Sequence, residues 1–188
     1  YLERKLKEER ETKTLTQTDT VRVDEKDKKW PCLVGPYEEI KPLCPGEAHH
    51  IVPDMVYRLG TRPTGVAAAS AEGRIPNAPT LNQGMSVCLT DVMHGSGADG
   101  LHGKLRGQLN GLGSQFNPKG TAPMGAILGK SLQSIDEIPG LSKECKEKAK
   151  AAAAAQVAAR MKPTQPGRVW EKPLPSGDAY DVLSKGSY

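Results

Sequence analysis

Aromatic side chains are scarce in this chain, 4% of 188 residues with a single phenylalanine. A core must therefore be built from Leu, Ile, Val, Ala and Met. Binding of single-stranded nucleic acid by stacking bases on aromatic rings is disfavoured. Long hydrophobic runs are also missing. The longest nonpolar run, Ala151 to Ala155, is far short of the ~20 residues of a membrane span. No secretory signal is visible, so any export has to be directed by sequence outside this chain. The opening residue, Tyr1 in place of a methionine, leads to the expectation of a piece of a longer or processed protein. The four cysteines, Cys32, Cys44, Cys88 and Cys145, include no C-x-x-C pair, which argues against a zinc ribbon. Cys32 and Cys44 bracket a short Pro/Gly segment. They are expected either as a disulfide, if the chain works in an oxidising compartment, or as reduced thiols, with a Cys44/His49/His50 zinc site as a further alternative.

What is present fits one domain of ordinary size, 37% hydrophobic and 26% charged, with 20 Gly and 15 Pro implying much loop. Residues 1–12 read as a charged, solvated helix and residues 14–23 as a Thr/Val strand. Residues 30–46, with four prolines, read as an irregular lead-in. Glu47 to Val52 is a short β segment stopped by Pro53, followed by a helical turn over Asp54 to Leu59 and a loop over 60–80. Residues 84–89 form a second β-prone run. Thr90 to Gly100 reads as a glycine-rich loop, with Asp99 capping a helix over about 100–110, and Gly113 to Gly129 as irregular. Residues 141–161 are the clearest helix, with Ser142 as N-cap and an alanine run packed inward. The tail from Lys162 lacks periodicity and is expected to wrap the surface or stay mobile. The fold class is α+β. The expected segments are 1–46 (charged segment and lead-in), 47–135 (core) and 136–188 (helix and Pro-rich tail packed on the core).

Formal net charge is only +4, but residues 49–130 carry seven basic and four acidic side chains. Arg58, Arg62, Arg74, Lys104 and Arg106 supply most of that excess, which suits a phosphate-bearing substrate, although an ordinary solvated surface has the same composition. All four histidines also fall in this region: His49, His50, His94 and His102. Imidazole is both a common metal ligand and the side chain that moves protons near neutral pH, so the clustering points to one site. Adjacent histidines on a strand face opposite sides, which lets one hold a metal while the other meets an attacking water. The run Gly95 to Gly103 is not followed by the Gly-Lys-Ser/Thr of a phosphate-binding loop, and Ser96 lacks a nucleophile-elbow setting.

The order of these residues resembles the HNH/endonuclease VII nuclease superfamily and, more narrowly, the AHH-type toxin domains at the C-termini of bacterial polymorphic toxins. The matching segments are Ala48-His49-His50-Ile51-Val52-Pro53, Leu81-Asn82-Gln83-Gly84-Met85-Ser86-Val87-Cys88-Leu89, His94-Gly95-Ser96-Gly97 and His102-Gly103-Lys104-Leu105, within about 60 residues of the chain. The resemblance implies a ββα-metal (His-Me finger) core. It implies a metal-dependent endonuclease acting on DNA, or on RNA, as the toxic effector domain of a secreted antibacterial protein. His49, His94 and His102 would hold one divalent ion (Mg²⁺, Zn²⁺ or a transition metal). His50 would be the general base, and Asn82 would position the loop or the base or touch the metal. Arg58, Arg74, Lys104 and Arg106 are the candidate substrate contacts. A cognate immunity protein and action in the target-cell cytoplasm follow from the same resemblance. The family spaces its last two histidines four apart, whereas His94 and His102 are eight apart. Either the insert loops out and leaves both pointing inward, or His94 contacts phosphate while Asn82 or Asp91 replaces it as ligand. The competing readings are a closed structural zinc module and a metal-free interaction domain with incidental histidines.

Overall fold

A computed structural model describes residues 30–188 apart from Pro173 and Pro175, and the compact unit runs from Cys32 to Tyr188. The helix expected over 1–12, the strand over 14–23 and the charged turn after them lie outside the described residues.

The fold is α+β. Strand β1 (Val34–Pro36) leads into a single helical turn, α1 (Tyr37–Ile40), then β2 (Glu47–His50), β3 (Met85–Leu89), the short helix α2 (Asp91–His94) and helix α3 (Leu101–Gln115). The second half comprises β4 (Thr121–Pro123), α4 (Met124–Asp136), α5 (Lys143–Arg160), β5 (Pro166–Arg168) and α6 (Gly177–Lys185). β3 is central to a three-stranded antiparallel sheet with β1 and β2 on its flanks, and β4 and β5 form a separate antiparallel pair. Ser86, Val87, Cys88 and Leu89 of β3 are all buried, the pattern of a strand covered on both faces.

Two apolar clusters fill the interior, and α3 and α4 contribute to both. Leu101, Leu105, Leu109 and Leu112 recur at helical spacing and are buried along one face of α3. That stripe offsets the ~1 kcal/mol that each glycine costs a helix interior. On α5 the buried residues are Cys145, Ala149, Ala153 and Val157, a narrow ridge of small side chains that lies against β1 and β3. Ser142 caps α5 as expected, accepting a hydrogen bond from the Cys145 amide at 3.2 Å. Gln156 ties the same helix to the start of β3 by accepting from the Met85 amide at 3.0 Å and donating to the Gln83 carbonyl at 2.7 Å.

Several expectations need correction. The lead-in holds β1 and α1. The stretch expected to be irregular from 113 to 129 contains the end of α3, β4 and the start of α4. The tail contains β5 and α6, with Ala179 and Leu183 buried. These short elements are built from tertiary packing and carry little periodicity of their own. The α3 helix starts at Leu101 on Gly100, without a cap from Asp99. Cys32 and Cys44 are not bonded to each other. Cys32 joins Cys145 across 113 residues, and Cys44 joins Cys88 across 44. One bridge ties the approach to β1 to α5, and the other ties the approach to β2 to β3. The first closes the longer loop and restricts the unfolded chain more. The Cys32→Ser/Cys145→Ser variant is expected to lose about 3–4 kcal/mol of unfolding free energy in urea titration; a loss below about 1 kcal/mol would show that the bridge is not a main support of the fold.

Candidate metal centre

Strand β2 pairs with β3 in the register Glu47↔Leu89, Ala48↔Cys88, His49↔Val87 and His50↔Ser86. Alternation along the strand sends neighbouring side chains to opposite faces. His49 is 1% exposed, and neither of its ring nitrogens has a hydrogen-bond partner. An unpaired buried polar atom costs roughly 1–3 kcal/mol, so such an atom in a native site calls for a ligand. The neighbours of His49 are the two other candidate rings. The His102 centroid lies 4.6 Å away, the His94 centroid 5.4 Å away, and those two rings are 4.7 Å from each other. One ligand nitrogen from each of His49, His94 and His102 falls within 4.8 Å of the others, so the three could hold a metal ion. The orphaned nitrogens of His49 and the three convergent imidazoles fit such an ion.

The eight-residue spacing is resolved by the loop between α2 and α3. Thr90 caps α2 by accepting from the Met93 amide at 3.1 Å, a Thr-Asp start that the sequence displays but that is easily lost among the glycines that follow. His94 ends this helix, and Gly95 then takes φ 62°, a conformation that side chains rarely adopt. A Cβ on Gly100 would lie 2.7 Å from the Ser96 amide nitrogen, and one on Gly103 would lie 2.5 Å from the carbonyl oxygens of Gly97 and Ala98. The insert is thus folded tightly onto the first turn of α3, and His102 on that turn meets His94. Both histidines converge on His49, His94 half-buried and His102 exposed, and Asp91 does not join the cluster.

His50 occupies the other side of β2. Its Nε2 lies 2.8 Å from the Leu81 carbonyl, and its ring stacks on Tyr37 with centroids 4.5 Å apart. A carbonyl oxygen can only accept, so Nε2 carries the proton and Nδ1 is the basic nitrogen. The seat is close-fitting, because a Cβ on Gly84 would come within 2.7 Å of the His50 ring. His50 nevertheless reaches the same cavity as His102, a space of about 460 Å³ also bordered by Asp54, Arg58, Arg62 and Arg106.

The expected substrate-contact arginines divide into two kinds. Asp54 holds Arg58 at 2.5 Å and Arg74 at 2.6 Å, all three largely buried. Arg58 also donates to the Ala68 carbonyl, and Arg74 to those of Ser70 and Pro79. This knot organises the 51–81 loop. Arg58 also borders the cavity, whereas Arg74 does not. Lys104 and Arg106 are exposed on α3, and Arg106 pairs with Glu171 at 2.9 Å. Asn82 is half-buried one residue beyond the Leu81 carbonyl. It borders a neighbouring hollow with Tyr37, Lys41 and Arg62, not the cavity that His50 and His102 share. The Cys44/His49/His50 alternative does not hold, since Cys44 is bonded to Cys88 and His50 turns away from His49. Sequence reasoning missed Gly84 and Tyr37, which seat His50, and Arg168, which closes the cavity by donating to the carbonyls of Trp170, Glu171 and Lys172. The Asn-x-Gly turn is the signal for Gly84, but nothing in the sequence marks the other two.

No family model, curated protein or solved structure matches this chain.

Burial pushes His49 far below the ordinary imidazole pKa, helped by His102, His94 and His50. Burial also lowers His50 and His102. The Leu81 carbonyl opposes the shift at His50, and His94 and Arg106 reinforce it at His102. Neutral imidazoles are the form that binds metal. The unfolded chain takes up protons near pH 6.5, whereas the folded chain resists until lower pH. Stability is therefore complete above about pH 6.5 and falls as the pH drops below it. Differential scanning calorimetry is expected to show that decline, with Zn²⁺ or Ni²⁺ at 100-fold over its Kd adding roughly 2.7 kcal/mol at neutral pH. His49→Leu is expected to abolish the metal effect, melt no lower than metal-free wild type and flatten the acid decline. An undiminished metal shift in that variant would dismiss His49 as a ligand.

Proposed function

We propose that this domain is a metal-dependent endonuclease with a ββα-metal core formed by β2, β3 and α3, hydrolysing phosphodiester bonds of DNA. The observation that carries the proposal is the division of labour on β2. His49 joins a three-histidine cluster, while His50, its tautomer fixed by a backbone carbonyl, borders a cavity that His102 also lines. Three imidazole nitrogens are a donor set suited to Zn²⁺, Ni²⁺ and related ions more than to oxygen-seeking Mg²⁺. When bound, such an ion supplies Lewis acidity to the phosphate and to the departing oxygen. His50 Nδ1 accepts the proton of the attacking water as the new P–O bond forms and the old one breaks. Burial keeps His50 neutral and ready to accept that proton. Arg106 and Lys104 offer positive charge on the exposed side of α3, while Arg58 stands in the cavity wall.

The closed structural zinc reading loses its cysteine, since Cys44 and the three other cysteines are all in disulfides. Two disulfides suit a chain that folds in an oxidising compartment, which agrees with an exported effector. On that reading the domain is the toxic module of a secreted antibacterial protein. It acts in the target-cell cytoplasm, and the producing cell carries an immunity protein.

The direct test is cleavage of plasmid DNA and of RNA by the purified chain with divalent ions. Activity is expected to vanish with chelator and to fall 10²–10⁴-fold in His50→Ala, with metal binding by calorimetry unchanged. Failure to cut either nucleic acid with any of these ions sinks the proposal. Gly84→Ala tests the seat of the base. Its methyl group displaces the His50 ring, so cleavage is expected to drop at least tenfold while metal affinity stays within twofold; wild-type cleavage would show that the ring position is not critical.

A further inference from the structure

Beyond the cavity, a second hollow flanks His50 and plays no part in the chemistry above. It is bordered by Tyr37, Glu38, Lys41, Pro42, Leu81 and Asn82, and Arg62 borders both this hollow and the cavity. Three contacts place the hollow beside the reacting position. Tyr37 stacks on the His50 ring at 4.5 Å, the Leu81 carbonyl accepts a hydrogen bond from His50 Nε2 at 2.8 Å, and the Lys41 ammonium stands 5.2 Å from the Tyr37 ring centre. Lys41 is therefore no further from His50 than the sum of the two ring separations. Lys41 and Arg62 are both exposed, and neither enters an ion pair among the described residues. This contrasts with Arg58 and Arg74, held by Asp54, and with Arg106, held by Glu171. Glu38 is the one acid on the border of this hollow, against two cations. Cations without an ion-pair partner among the described residues, bordering two hollows on either side of the proposed base, match the repeated negative charge of a polynucleotide backbone.

We propose that the hollow at Lys41 is a second phosphate subsite, joined through Arg62 to the cavity at His50, so that one nucleic-acid strand lies across both with its scissile phosphate at the cavity. The inference rests on the nuclease reading for its choice of ligand, but it concerns binding and can fail separately. Lys41 and Arg62 act as binding residues that set affinity for extended substrate. The contacts are to phosphates, so DNA and RNA share them.

The test is fluorescence anisotropy with labelled duplex DNA, single-stranded DNA and RNA oligonucleotides, in chelator so that nothing is cut, over a range of salt concentrations. Lys41→Ala/Arg62→Ala is expected to raise Kd about tenfold or more on whichever nucleic acid wild type binds. The slope of log Kd against log salt is expected to fall by about one for each lost contact. Glu38→Gln is expected to tighten binding. Both altered cations are exposed, so the melting temperature serves as the folding control. An unchanged Kd and salt slope in the double variant overturns the subsite, even if wild type cuts DNA; so does the absence of measurable binding by wild type. If wild type cuts nothing while the double variant loses affinity and slope, the nuclease reading fails and the subsite stands.

Discussion

Everything at the site depends on the alternation of one four-residue strand. β2 is held to β3 in a register that buries His49 against the sheet interior and leaves His50 on the opposite side. A slip of one residue would exchange the two rings, placing the carbonyl-anchored imidazole among the histidines and the orphaned one beside Tyr37. The structure guards that register from several directions. Cys44 binds Cys88 where β2 begins, Gln156 grips the start of β3, and the Leu81 carbonyl and Gly84 together shape a seat that only the His50 ring fills. Pairing, covalent bond and side-chain packing all select the same face for each histidine.

The burial of His49 conflicts with the ordinary rules of a protein interior, and the conflict is informative. A 1% exposed imidazole with neither nitrogen paired works against stability. Local violations of that kind concentrate at functional positions because the surrounding structure is strong enough to impose them. Here the surrounding structure includes two apolar clusters meeting along α3 and α4, and a disulfide linking α5 to the approach to β1. His102 is exposed on the first turn of the same leucine-striped helix, so the packing that builds the core also brings a candidate ligand to the cluster.

The site was more legible in the sequence than the fold around it. Two short β runs could be read from β-prone residues ahead of Pro53 and around Val87, and the histidine-bearing helix carries leucines at helical spacing. The doubled histidine before Pro53 predicted two rings on opposite sides of a strand, and β2 places them so. The role of His94 could not be read, because its spacing from His102 makes sense only once glycines 95, 100 and 103 are seen folded on one another. β1, β4, β5 and α1 have three or four residues each, too few for any periodicity to show. Disulfide partners far apart in sequence left no local trace either, and the arginine-rich stretch suggested ligand contact where Arg74 instead serves the loop.

That loop has a consequence for how this domain can change. The chain between His50 and Asn82 is far longer than a hairpin turn requires, yet the Leu81 carbonyl must return to within 2.8 Å of a particular ring. The Asp54–Arg58–Arg74 knot helps to meet that demand by closing the loop near its ends; beyond it Gly60, Thr61 and Arg62 still border the cavity, whereas the tip is open, with Val66 97% exposed. Only the tip of the loop, around Val66, lies outside the cavity lining. That tip can acquire new surface chemistry without altering a residue that borders His50, whereas a change at Arg62 would reach the cavity directly.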